Sequence, residues 1–107
     1  MKTIKVMDRY PCPGPRYASL GPSSGEEFKK WLKKELENNE GLTVDLDGTE
    51  GYGSSFLEEA FGGLIRDGID ASKVLAIKYV SKEEPEIIDE INEYIEDAIG
   101  LQGDSNG

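Results

Sequence analysis

The chain has 107 residues with 22 acidic and 12 basic side chains, no histidine and one cysteine, which leaves a formal net charge of −10. That length suits one domain with a modest core, and the charge disfavours nucleic-acid partners, whose phosphates need clustered cations. Cys12 can form no internal disulfide and, without histidine, no zinc site; the missing histidine also removes the usual general base near neutral pH.

In chain order, Ile4 and Val6 alternate with polar neighbours and predict a short strand within residues 1–10. Residues 11–25, with four prolines and three glycines, read as a loop with room for a short strand at Arg16-Tyr17-Ala18. Ser24 and Glu27 have the spacing of a capping box, and Phe28, Trp31, Leu32 and Leu36 share one face, so a helix is expected over 25–38. Thr43 to Asp47 alternate in polarity and predict a strand, followed by a turn at Gly48, Gly51 and Gly53.

Ser54 and Ser55 open the next helix, whose core face is Phe56, Leu57, Ala60, Phe61, Leu64 and Ile65, and Gly68 stops it. Ser55 and Glu58 themselves have capping-box spacing. Val74 to Val80 form a nearly continuous apolar run, expected as a central strand covered on both faces. A third capping box, Ser81 with Glu84, starts a last helix with Pro85 in its first turn. Its stripe is Ile87, Ile88, Ile91, Tyr94, Ile95, Ala98 and Ile99, ending at Gly100. Domain boundaries follow at 1–100, with 101–107 as a disordered tail. Strands alternating with helices imply an α/β fold with a mainly parallel or mixed sheet and about three helices.

Two features limit the chemistry. Asp45-Leu-Asp-Gly-Thr49 looks like the nucleophile motif of haloacid-dehalogenase-type phosphatases, but the downstream aspartate pair of that family is missing and the remaining chain is too short for its larger sheet. No G-x-S-x-G elbow surrounds Ser54 or Ser55, and the proline loop has no P-loop lysine. The expectation is a non-catalytic protein with no catalytic residues, no metal and no cofactor. Nine acidic residues and no basic ones from Glu83 onward make either a solvated helix face or a surface for a basic protein partner. No apolar run approaches the roughly 20 residues of a membrane span, and the N-terminus lacks a signal peptide's apolar region, so a cytoplasmic protein without membrane contacts is expected.

The segments PGPRYASLGPSSGEEF and VDLDGTEGYGSSFLEEAFGGLIR closely resemble the STAS-like family of small prokaryotic and phage-borne domains. The resemblance runs from about Pro13 to the last helix and implies a small STAS-like sandwich. STAS domains proper include the anti-sigma-factor antagonists, in which a serine at a helix start is phosphorylated by a histidine-kinase-type ATPase that is also the binding partner. Laid alongside without gaps, Ser55 takes the phosphorylatable position, whereas Gly53 replaces an aspartate and Phe56 a glycine. The resemblance therefore implies a signalling module that binds a protein. Ser54, Ser55, Tyr52, Gly53, Glu58 and Asp47 are the candidates for partner contact or phosphorylation, with Ser54, Ser55, Tyr52 and Glu58 expected on one exposed rim with the glycine turn and Tyr52 as an aromatic anchor. Arg16 is a candidate ligand contact or a tether of the proline loop to an acidic strand end. The alternative is a phage or mobile-element inhibitor that binds a host protein through its acidic surface.

Overall fold

A computed structural model describes residues 2–106. Three parallel strands, β1 (Lys2–Lys5), β2 (Leu42–Asp45) and β3 (Lys78–Val80), lie in the order β1-β2-β3, with Ile4, Val44 and Tyr79 in register. Both crossovers step the same way across the sheet, and the right-handed rule puts their helices on one face. The side-chain alternation agrees: Ile4 and Val44 are buried and Tyr79 packs on Phe61, while Thr3, Lys5 and Lys78 are exposed on the opposite face. The molecule is thus an α/β sandwich of two layers with one polar sheet face open.

The first crossover is α1 (Gly25–Asn38), started by the expected box: Ser24 Oγ accepts from the Glu27 N–H at 3.1 Å while the Glu27 carboxylate accepts from Ser24. Its apolar face buries Phe28, Leu32 and Leu36. The second crossover begins with one helical rod in three parts, α2 (Ser54–Leu57), a π turn (Glu58–Gly62) and α3 (Gly63–Arg66), with helical backbone angles at each junction. Phe28 of α1 stacks on Phe56 at 5.6 Å and meets Phe61 edge-on at 5.7 Å, which joins the two crossovers over the sheet. Aromatic pairs in these geometries contribute beyond their buried area.

Several boundaries differ from the sequence reading. Val6 to Asp8 form a 3-10 turn, which shortens β1, and Arg16 to Ala18 form no strand; a 3-10 turn follows over Ala18–Leu20. The run from Val74 to Val80 is not a central strand. Asp70 caps a short helix, α4 (Ala71–Leu75), by accepting from the Ser72 N–H at 3.0 Å, and only Lys78 to Val80 pair, on the sheet edge. The local Asx cap outweighs the apolar pattern, because a single helical turn suffices to bury Val74 and leaves Leu75 53% exposed. β2 holds the central place instead.

The last helix, α5 (Glu86–Asn106), begins after Pro85. The box expected at Ser81 is absent: Ser81 Oγ donates to the Glu84 carbonyl at 2.6 Å, closing a turn ahead of the helix. Ile87, Ile91, Ile95 and Ala98 are buried, with Ile88, Tyr94 and Ile99 packed at the margin. α5 does not stop at Gly100 as the sequence suggests. It continues to Asn106, and Gln102 Nε2 donates to the Ile65 carbonyl at 2.6 Å; Gly107 lies outside the described residues. No helix among the described residues is long and apolar enough to cross a membrane.

Candidate functional site

β2 delivers its C-terminal end to the glycine turn, and in open α/β sheets that edge is where ligands dock. Asp47 anchors the turn. Its carboxylate accepts from the Lys82 and Glu83 N–H groups, both at 3.0 Å, which holds its pKa below the usual carboxylate range. The Gly48 N–H answers by donating to Glu83 Oε1 at 2.6 Å. Gly48 is at φ +91°, a conformation that L side chains rarely adopt, with Met7 lying where a Cβ would go.

Tyr52 is not a free aromatic anchor. Its hydroxyl donates to the Leu46 carbonyl at 2.7 Å and its ring lies 6.0 Å from Phe56, so it ties the turn back to the strand end. Burial, with the charges of Asp45, Asp47 and Glu83, pushes its phenol up to about 12.

Ser54 and Ser55 are exposed at the start of α2. The N-cap is Gly53, whose extended backbone (φ −80°, ψ 149°) comes without a side-chain cap. The Ser55–Glu58 box is therefore not formed, because Ser55 already lies inside the helix and Glu58 is engaged elsewhere. Ser54 faces α5, where its hydroxyl meets that of Tyr94, and Tyr94 Oη donates to Glu90 Oε2 at 2.6 Å; the bond to Glu90 raises the Tyr94 pKa.

Glu58 is half-buried in an ion-pair network. Arg66 binds it through both terminal nitrogens at 2.5 and 3.0 Å, and Arg16 Nη1 reaches it at 2.5 Å. Its pKa is lowered, first by Arg66 and then by Arg16. Arg16 does tether the proline loop, but to this helix and not to an acidic strand end. The loop's Pro15 and Arg16 carbonyls accept the Gly25 and Glu26 N–H groups at 2.8 and 2.9 Å, fixing it to the start of α1.

The network extends to residues that the sequence reading missed. Glu59, 6% exposed, takes Lys29 Nζ at 2.7 Å and Arg66 at 3.3 Å, and Asp67 takes Lys29 at 3.0 Å and Lys33 at 2.6 Å. Burial opposes ionisation of Asp67, yet the two lysines hold its pKa low. The available signal was a pair of acids, Glu58 and Glu59, interrupting an apolar stripe two turns before Arg66. Among the described residues no group of three or more acids or cysteines is placed to hold a metal ion.

A family model described as a STAS-like domain of unknown function matches residues 24–85, from the α1 cap through the glycine turn, the serine helix and β3. The chain belongs to this STAS-like family. Comparisons with curated proteins and with solved structures each find no match. Within the STAS-like domain, Asp47, Tyr52, Gly53, Ser54, Ser55 and Glu58 all fall inside the matched segment, whereas Arg16 lies before it. The structure brings Arg16 back onto Glu58 and so joins the proline loop to the family segment.

Proposed function

We propose that this STAS-like domain is a non-catalytic protein-interaction module of cytoplasmic signalling, switched by phosphorylation at Ser55. The observation that carries the reading is that Ser54 and Ser55 are exposed at a helix start whose cap is Gly53, so no serine hydroxyl there is committed to capping. A phosphate adds about −1.5 to −2 charge and would sit at the positive end of the helix dipole, changing the rim without unfolding it. Ser55 is favoured over Ser54. It lies one turn before Glu58, which holds Arg16, whereas Ser54 faces Tyr94 and Glu90 on acidic α5.

The partner is a protein, and the STAS resemblance supports a histidine-kinase-type ATPase. The test is to recover the partner by pull-down from the native host, incubate it with the domain and ATP, and read phosphate incorporation by intact mass. Ser55→Ala should abolish incorporation, and Ser55→Asp should weaken partner binding with the fold unchanged. Incorporation that survives Ser55→Ala, or undiminished binding by Ser55→Asp, overturns the switch.

A second reading draws on α5, which exposes Glu86, Asp89, Glu93, Glu96 and Asp97. There the domain is a phage or mobile-element inhibitor that holds a basic face of a host protein. Charge reversal at Glu86, Glu90 and Glu93 would then abolish binding while Ser55→Asp leaves it intact.

A further inference from the structure

At the opposite end of β2 from the serines lies an open groove of about 510 Å³, between the end of α1 with its following loop and the end of α4. Its floor is apolar, made by Leu36, Leu42 and Ile77, with Ala76 beside them. Its α1 wall is electronegative for two separate reasons. The helix has no basic residue in its last turn, and its C-cap Asn39 is extended (φ −136°, ψ 145°), so the chain leaves without a closing turn. A helix end leaves its last four carbonyls without intrahelical partners and carries about half a negative charge. Here the Glu35 carbonyl takes Asn39 Nδ2 at 2.8 Å, and the carbonyls of Leu36, Glu37 and Asn38 form the electronegative end of the helix. Glu37 and Glu40, both exposed, add full negative charges at the same wall.

We propose that this groove receives an arginine side chain of a protein partner. The alkyl stem lies along the apolar floor and the guanidinium meets the helix-end carbonyls and the two carboxylates. Arginine fits better than lysine because its five N–H donors form a planar fork and its charge is weakly hydrated. Neither half suffices alone: exposed ion pairs contribute little by themselves, and the stem contact gives the cation a fixed place. The chain's net charge of −10 draws a basic partner toward it. Lys73, on the opposite wall, opposes an incoming cation and supplies a control of known sign. The inference does not rest on the serine switch, since the two places are at opposite ends of the central strand.

The test titrates butylguanidinium and, separately, butan-1-ol into the isotopically labelled protein and follows backbone amides by NMR. Saturable shifts of the Asn39, Glu40, Gly41 and Ala76 amides with butylguanidinium, and not with the alcohol, are expected. Lys73→Ala should tighten binding and Glu37→Gln with Glu40→Gln should loosen it, each by roughly twofold to fivefold, the scale of a charge at a helix end. All three positions are exposed, so the fold is not at stake. Equal shifts with butan-1-ol, no saturable shift at these amides, or affinity indifferent to the charge variants overturns the proposal.

Discussion

Gly25 and Phe56 touch backbone to backbone: a Cβ on Gly25 would stand 2.6 Å from the Phe56 carbonyl oxygen and 3.1 Å from its Cα. This contact seats the first turn of α1, with the proline loop bound to it, against the helix that begins at Ser54. Glycine at a helical position ordinarily costs about 0.5–1 kcal/mol relative to alanine. Here the clash is with backbone that has no rotamer to escape into, and overpacking of this kind costs about 1–3 kcal/mol. Gly25→Ala should therefore lower the unfolding free energy in urea by about 1–2 kcal/mol. A stabilised variant would mean that the two helices can separate freely.

The serine boxes expected at Ser24 and Ser55 should separate in experiment. Ser24, fully buried and reciprocally bonded with Glu27, caps α1, and Ser24→Ala should cost about 1–2 kcal/mol. Ser55 caps nothing, so Ser55→Ala should stay within about 0.5 kcal/mol of the parent. Comparable shifts of the denaturation midpoint for both would contradict the assignment of Gly53 as the cap.

Lys29 holds two carboxylates, Glu59 and Asp67, at 2.7 and 3.0 Å. Lys29→Met keeps the stem but leaves Glu59, which is 6% exposed, with only the longer contacts to Arg66 and Arg16 at 3.3 and 3.6 Å. A loss of about 1–3 kcal/mol is expected for a buried charge stripped of its nearest partner. Adding Glu59→Gln should recover part of it, because the stranded charge is then gone. A double variant that is merely additive would show that the pair is not coupled.

Stability should depend on pH at both extremes, with opposite signs. Glu58 and Asp67 have folded pKa values below their unfolded ones, so the stability they contribute is complete above about pH 5 and is lost as pH falls through the folded values. Glu58→Gln should flatten that acid limb. Tyr52 is raised to about 12 from the ordinary tyrosine value of 10.0, so its contribution is complete below about pH 10 and is lost as pH rises through about 12. Ultraviolet titration should show a phenol ionising near 12 that disappears in Tyr52→Phe. An unchanged titration curve in that variant would contradict the buried bond to Leu46.

Where a signal was local, the sequence sufficed. The Ser24 box with its apolar face defined α1 over 25–38, and the polarity alternation beside three glycines located β2 and its turn, because caps and strand patterns depend on near neighbours. Tertiary contacts decided the rest. An S-x-x-E spacing occurs at Ser24, Ser55 and Ser81, yet only Ser24 forms the box: Glu58 is drawn to Arg16 and Arg66, and Ser81 turns to a carbonyl. The apolar run at 74–80 could not reveal that Asp70 would start a helix and leave three residues for the sheet edge. Ser54 meets Tyr94 of α5, and Glu58, one turn beyond Ser55, meets Arg16 of the proline loop, both from segments far off in the chain. Spacing along a sequence specifies which groups are available to each other locally, and only the packed fold determines which distant charge reaches them first.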